Sequence, residues 1–303
     1  MVLRKDIKVC IVQTSLNADC AWRDSGSSSW EDCVKISEVE ERAAKREIRN
    51  FLASIRSSEV VPDFVLFPEL SIPLGFESRF RRASESLGAI FIGGLDYKVN
   101  RSTAQPSVSN EAVVIVPHSR GGVRHSRSTG VRYVGKTYPA PGELKKLSEI
   151  QSGPVQFLRQ PTVWLFESRE LGKFGVAVCY DFLDLDRLAM YRAKIQTLFI
   201  LAYNRDTTSF EHVAEALSRM LFCNVVVCNC GHFGGSLAVS PFRAPHLRTV
   251  YKLSGLKLPN FQIVELPVSE LVAHQNGSNK PEFKSRPPGF DSVVSLNSNT
   301  ERV

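Results

Sequence analysis

Short apolar runs separated by amphipathic stretches organise most of this chain. Lys8–Gln13 sets Val9 and Ile11 against Cys10 and Val12, a run rich in β-branched residues that predicts a buried first strand. From about Val34 to Ile55 the apolar positions Ile36, Val39, Ala43, Ile48, Phe51, Leu52 and Ile55 recur near a 3.6-residue period and predict an amphipathic helix. Pro62-Asp63 interrupts the chain before Phe64–Pro68, which has the length of a buried strand. A second helix is expected over Glu77–Leu87, followed by strands over Ala89–Ile92, closed by Gly93-Gly94, and over Asn110–Val116. Asn17–Asp32 and the Gly-, Ser- and Arg-rich stretch His118–Tyr133 read as loops.

Thr162–Glu167 and Lys173–Cys179 are expected to pair as a hairpin turning near Leu171-Gly172. A helix over about Leu185–Lys194, the strand Thr197–Ala202, a helix over about Phe210–Phe222 and the strand Asn224–Asn229 follow, then strands over Ser236–Pro241 and Phe261–Leu266. Strands alternating with helices define an α/β class, and hairpin neighbours make its sheets mixed. After Val268 the chain turns polar and rich in Pro, Ser and Asn, so the expectation is one domain over 1–268 and a tail over 269–303, either disordered or draped over a partner.

Composition narrows the classes of function. At 303 residues, with 43% hydrophobic and 23% charged, the chain is neither disordered nor fibrous. Lys+Arg of 38 against Asp+Glu of 31 gives a formal charge of +7, which admits acidic partners or substrates without demanding nucleic acid. The runs around Leu198–Ala202 and Val225–Cys228 fall far short of the roughly 18 residues of a membrane helix. The opening Met1-Val-Leu-Arg-Lys-Asp lacks the apolar core of a signal peptide. Seven cysteines, an odd number in a chain large enough to build a core, argue against a disulfide framework. A soluble, cytoplasmic protein with no membrane partner is the expectation.

Three segments place a reactive residue at the end of an apolar strand or in the turn after it. Glu69 follows Val65-Leu-Phe67-Pro68, at the strand end where open α/β sheets bind ligands. Lys136 and Glu143 sit in a loop stiffened by Pro139 and Pro141. Cys179 closes Gly175-Val-Ala-Val and opens a turn, where backbone amides lower a thiol's pKa or hold an oxyanion. Taken singly, each is ordinary: a solvated carboxylate, an exposed lysine, a core cysteine. Together they supply a nucleophile, a base and a positive charge.

Phe67-Pro-Glu69, Lys136 followed by Glu143, and Cys179-Tyr-Asp181 resemble, in order and spacing, the Glu–Lys–Cys signatures of the nitrilase superfamily of carbon–nitrogen hydrolases. Leu201-Ala-Tyr-Asn204 and Asn229-Cys-Gly-His-Phe-Gly-Gly-Ser236 extend the resemblance, which runs from about Lys8 to Leu266. It implies a four-layer αββα sandwich with two mixed β-sheets. It further implies that Glu69 is the general base, that Cys179 attacks the substrate carbon, and that Lys136 with the Tyr180 backbone N–H holds the oxyanion while Glu143 positions Lys136. The activity implied is hydrolysis of a non-peptide carbon–nitrogen bond in a small amide or carbamoyl compound, with nitriles less favoured, through a Cys thioester and with no cofactor. By analogy Tyr138, Asn204, Arg205 and His212 line the pocket, and a homodimer or larger homo-oligomer is expected. One departure stands out: many members follow Cys-Tyr-Asp with Arg and then Phe-Pro, whereas Phe182-Leu-Asp-Leu-Asp186-Arg187 stands here.

A rival reading is an accessory or regulatory domain. Leu66–Pro73 and Gly93–Tyr97 are similar to carbon–nitrogen hydrolase domains attached to bacterial reverse transcriptases in phage defence. Arg120, Arg124, Arg127 and Arg132, with His118 and His125, admit an anion or nucleic acid, but without interleaved aromatic residues the loop reads first as solvated. Cys223, Cys228, Cys230 and His232 lack the paired C-x2-C spacing of zinc sites and read as core, so no metal is expected.

Overall fold

A computed structural model describes residues 2–17, 19–22, 29–101, 105–120, 123–124, 128–151 and 153–290. Its strands fall mainly into two six-stranded sheets. The first holds β1 (Asp6–Gln13), β2 (Phe64–Ile72), β3 (Ile90–Leu95), β4 (Glu111–Val116) and β5 (Gly130–Gly135), closed by the last strand, β12 (Asn260–Pro267), in the order β12-β1-β2-β3-β4-β5. The second runs β6 (Leu165–Ser168), β7 (Gly172–Val178), β8 (Thr197–Ala202), β9 (Asn224–Asn229), β10 (Ser236–Val239) and β11 (Thr249–Leu253), in chain order. Each sheet has three parallel central strands, β1-β2-β3 in one and β7-β8-β9 in the other, with antiparallel neighbours outside them.

The period-two alternation of β1 explains the layering. Val9 and Ile11 face inward with Phe64, Leu66 and Ile92, packing against Val176, Phe199 and Val226 of the second sheet. Cys10 and Val12 face outward, with Val65, Phe67 and Phe91, onto helices α2 (Glu38–Arg56) and α3 (Glu77–Leu87) through Ile48, Leu52 and Phe80. The outer face of the second sheet is covered by α5 (Leu185–Ala189) and α6 (Thr207–Leu217), which bury Leu188, Phe210 and Ala214. The arrangement is the α/β class with mixed sheets that the pattern predicts, in the four-layer αββα form that the family resemblance implies.

Several boundaries differ from expectation, for local reasons. A five-residue helix α1 (Trp30–Val34) precedes α2, and the chain breaks between them where Ser37 caps α2 by accepting from the Glu40 N–H. The Lys136–Glu143 loop ends in helix α4 (Pro141–Ser148): Pro141 takes the first helical position, where no N–H is needed, and Glu143 accepts from the Ala140 N–H at 2.8 Å. Helix α5 stops at Ala189, short of Lys194, and α6 begins at Thr207, where Asp206 caps the Ser209 N–H. The supposed loop 118–133 contains paired backbone at Ser119–Arg120 and Val123–Arg124 and the start of β5. Arg120 is buried and bonded to Asp63 at 2.8 Å and to the Gly88 carbonyl at 3.1 Å, and His118 pairs with Glu85. The side chains of Arg124, His125 and Arg127 lie outside the described residues.

The segment after Val268, expected as a polar tail, folds onto its own chain. After the short helix α7 (Pro245–Arg248), helix α8 (Ser269–Gln275) buries Leu271, which clusters with Phe222, Phe283 and Phe290. Three large apolar residues spaced far apart carry no periodic signal, yet suffice to anchor a strap. Residues 291–303 of that expected tail lie outside the described residues.

Candidate active site

The two sheets present their functional residues at one end of the sandwich. Glu69 lies within β2, at an irregularity between Phe67 and Ile72 in its pairing with β3, and the next residue, Leu70, has φ of +57°. Lys136 follows β5, and Cys179 follows β7 with φ of +44°, a left-handed conformation costly for a residue with a Cβ. The turn over Cys179–Leu183 thus turns the thiol out of the strand line and into a cavity of about 530 Å³. Glu69, Lys136, Glu143 and Cys179 all line it, as do Asn204 and Arg205.

Lys136 Nζ donates to Glu69 Oε1 at 2.8 Å and also to Glu143. Asn110 Nδ2 bridges the two carboxylates, at 2.7 Å to Glu69 and 3.2 Å to Glu143, and the Tyr97 hydroxyl donates to Glu143 at 2.7 Å. Two carboxylates flanking one buried ammonium are driven apart in proton affinity. Burial pushes Glu143 up, but Lys136 and the hydrogen bonds from Ala140 and Tyr97 hold it below the usual carboxylate range. Burial raises Glu69, the Glu143 charge adds to that, and Lys136 only partly opposes it. Glu69 is therefore the carboxylate with an affinity for a proton.

Burial works against the Lys136 ammonium, but Glu69, Cys179 and Glu143 together outweigh it and raise its pKa, so the lysine stays charged. The Cys179 thiol is pushed well up by burial and by the Glu69 charge, with Lys136 opposing. This reverses the lowered pKa expected from a strand-end turn: burial favours the neutral thiol, beside the Glu69 carboxylate.

Asp181 serves as the brace of the site. Its carboxylate accepts from the Thr137 N–H at 2.8 Å and the Tyr138 N–H at 2.8 Å, fixing the backbone just after Lys136, and it pairs with the Arg187 guanidinium at 3.3 Å. Arg187 is buried and also donates to the Thr162 carbonyl at 2.8 Å. In place of an arginine directly after the Cys-Tyr-Asp run, the chain thus supplies a guanidinium from α5.

Tyr138 and His212, expected in the pocket, do not line this cavity. The Tyr138 ring is exposed beneath the Arg159 guanidinium, and His212 lies on α6 beside a separate hollow. The Tyr180 side chain is also absent from the cavity wall. Sequence reasoning missed Trp22, Tyr97, Tyr203 and Phe233, which build an edge-to-face aromatic wall with Trp22–Tyr203 at 5.4 Å and Tyr203–Phe233 at 5.1 Å. Lys146 and Arg205 lie over this wall, on Trp22 and Phe233 respectively. Asn229 fixes Asn204 by accepting from its N–H at 2.9 Å and donating to its carbonyl at 2.8 Å. Asn229 and Phe233 stand in the motif segment Asn229–Ser236, Tyr203 in Leu201–Asn204 and Tyr97 in Gly93–Tyr97, the signal by which they could have been found. Cys223, Cys228 and Cys230 are buried, and Cys228 Sγ donates to the Val12 carbonyl at 3.2 Å.

No family model matches the sequence, and no curated protein matches it. The solved structures do: the fold is that of the nitrilase superfamily. Nit3 of Saccharomyces cerevisiae, a member of branch 10 of that superfamily, superposes with a TM-score of 0.58 at 13% identity, over 100% of this chain and 98% of its own. XC1258 from Xanthomonas campestris, a CN-hydrolase superfamily protein with an arsenic adduct in its active site, gives 0.61 at 13% identity, over 99% and 100%. A variant amidase from Nesterenkonia sp. AN1, carrying the acetamide moiety of fluoroacetamide on its active-site cysteine, gives 0.55 at 14% identity, over 90% and 95%. Among the described residues no helix is long and apolar enough to cross a membrane.

Proposed function

We propose that the chain hydrolyses a carbon–nitrogen bond in a small amide or carbamoyl compound, with Cys179 as nucleophile. The observation that carries this is the meeting, in one cavity, of a thiol, a carboxylate of raised pKa and a buried ammonium 2.8 Å from that carboxylate. Glu69 takes the thiol proton as Cys179 Sγ bonds to the substrate carbon, and the developing oxyanion is met by Lys136 and the Tyr180 backbone N–H. Glu69 then returns the proton to the departing amine as the carbon–nitrogen bond breaks, leaving a thioester. Water, deprotonated by Glu69, attacks the thioester carbon and expels the thiolate, which recovers its proton. Glu143 keeps Lys136 aimed at the reacting centre. The aromatic wall bounds the substrate side, and the cationic Lys146 and Arg205 favour a substrate with an acidic end over a basic one.

An ammonia-release screen over amides, carbamoyl amines and nitriles tests the proposal. Turnover is expected for at least one amide or carbamoyl compound and absent in Cys179→Ala, with cooperative unfolding retained. Turnover surviving in that variant overturns the assignment. An accessory domain acting through a partner predicts instead an inert thiol, so iodoacetamide labelling separates the two readings: labelling of Cys179 is expected to depend on Glu69, and that of exposed Cys20 is not.

A further inference from the structure

A second hollow, of about 340 Å³, opens where the C-terminal end of α6 meets the loop after β10. None of the residues lining it lines the Cys179 cavity. Arg219, Arg248, Lys284 and His212 stand around it, over a floor that includes Val239 and Ser240. The walls are fixed by hydrogen bonds. The Lys284 N–H donates to the Pro241 carbonyl at 3.1 Å, and the Arg243 N–H to the Glu282 carbonyl at 2.7 Å, which seats the strap after α8 against the loop. Arg248 is held by Nε to the Phe242 carbonyl at 3.1 Å and by Nη2 to the Arg243 carbonyl at 3.0 Å. Arg219 rides on a π-turn, Ser218–Phe222, the kind of helix irregularity that recurs at functional sites.

Three cationic side chains, Arg219, Arg248 and Lys284, line the hollow against one acid, Glu215. Among the described residues no acid forms an ion pair with Arg219, Arg248 or Lys284, and Glu215 at the rim pairs with none of them. Arg219 Nη1 is buried without a hydrogen-bond partner, and so is the hydroxyl of Ser240, a residue 2% exposed. Burial and the Arg248 charge both depress the Arg219 pKa, which places two guanidiniums within mutual repulsion. Buried donors left open and like charges held together are costly unless something neutralises them. Guanidinium forks match phosphate oxygens in spacing and plane.

We propose that this hollow binds the phosphoryl group of a small phosphate monoester, clamped by Arg219 and Arg248 with the Ser240 hydroxyl as a further donor. Lys284 completes the positive wall, the His212 ring stands beside it, and Ala216, Val239 and Phe242 offer apolar surface to a compact organic body. The volume exceeds the needs of inorganic phosphate alone and falls in the range of small-molecule sites.

Titration calorimetry and thermal shift at low salt, with inorganic phosphate, phenyl phosphate and benzoate as probes on the full chain, test this. Phenyl phosphate is expected to saturate and raise the melting temperature, inorganic phosphate to bind more weakly, and benzoate weakest of all. Arg219→Ala is expected to weaken phenyl phosphate by about tenfold or more, with its fold verified by circular dichroism. Should that variant not fold, Lys284→Ala, at a partly exposed position, is expected to weaken binding in the same direction. No saturable effect of either phosphate, benzoate binding as tightly as phenyl phosphate, or unchanged affinity in the folded variants overturns the proposal. Amide turnover plays no part in the readout, so this site and the Cys179 reading fail independently.

Discussion

Replacing Gly94 by alanine tests whether the base is placed by backbone proximity. A Cβ at Gly94 would lie 2.3 Å from Glu69 Cα, 2.6 Å from the Pro68 carbonyl oxygen and 2.7 Å from the Leu70 nitrogen. All three are main-chain atoms of β2, so no rotamer change relieves the clash, and the strand must retreat by about 1 Å to reach ordinary contact. Overpacking of this kind costs about 2–4 kcal/mol in stability. A displacement of about 1 Å at Glu69, now 2.8 Å from Lys136, is expected to slow chemistry by about 100-fold. Urea unfolding reads the first effect; amide turnover and the alkylation rate of Cys179 read the second. Two neighbours serve as comparators. At Gly93 a Cβ meets the flexible Ile72 Cδ1 at 2.2 Å and the Phe80 ring at 3.1 Å, while at Gly75 it meets nothing within 4 Å. The losses should rank Gly94→Ala, then Gly93→Ala, then Gly75→Ala. A Gly94→Ala protein with unaltered stability and Cys179 reactivity would refute the reasoning.

Three further perturbations follow from the geometry. Asp181→Ala leaves the buried Arg187 without its carboxylate and frees two N–H groups after Lys136, so a loss of about 3–5 kcal/mol is expected by urea unfolding, and a loss under about 1 kcal/mol contradicts the bracing role. Burial pushes Asp96 up to about 6 even though it accepts from the Ile36 N–H and the Trp22 indole. The folded chain therefore binds that proton more tightly than the unfolded one, and stability from this group, full below about pH 4, is lost as pH rises through 6, by about 3 kcal/mol. Asp96→Asn should flatten the stability difference between pH 5 and pH 7.5, and an unchanged difference rejects this account. Phe283→Ala should cost about 3–5 kcal/mol if the segment after α8 is part of the core, and an unaltered melting temperature would show that it is not.

What the chain discloses on inspection depends on the range of the interaction. β1, β2, β8 and β9 are buried on both faces and read as continuous apolar runs, and α2 and α3 carry clear stripes, so the layers were visible. Glu69 and Cys179 were visible because each interrupts or ends an apolar run with a reactive group, and Lys136 because it stands with Glu143 in a loop stiffened by two prolines. The aromatic wall was not, since Trp22, Tyr97, Tyr203 and Phe233 come from four separate connections and meet only through the fold. Helix α4 was hidden because Pro141 signals both a stiff loop and a first helical turn, and only the bond from the Ala140 N–H to Glu143 distinguishes them. His212 failed for a related reason: its helix begins beside Asn204 and Arg205 but carries it away toward the second hollow. The short strands over Lys98–Asn100, Ser107–Ser109 and Gln156–Phe157 are too brief to show any alternation.

Glu69 and Lys136 hang from one sheet and Cys179 from the other, while the terminal strand β12 lies against β1. Neither sheet alone can bring the Cys179 sulfur to the Glu69 carboxylate. Bringing the thiol to the carboxylate therefore requires the two sheets to be packed face to face. Sliding of one layer past the other is expected to part the sulfur from the carboxylate while each sheet keeps its own pairing.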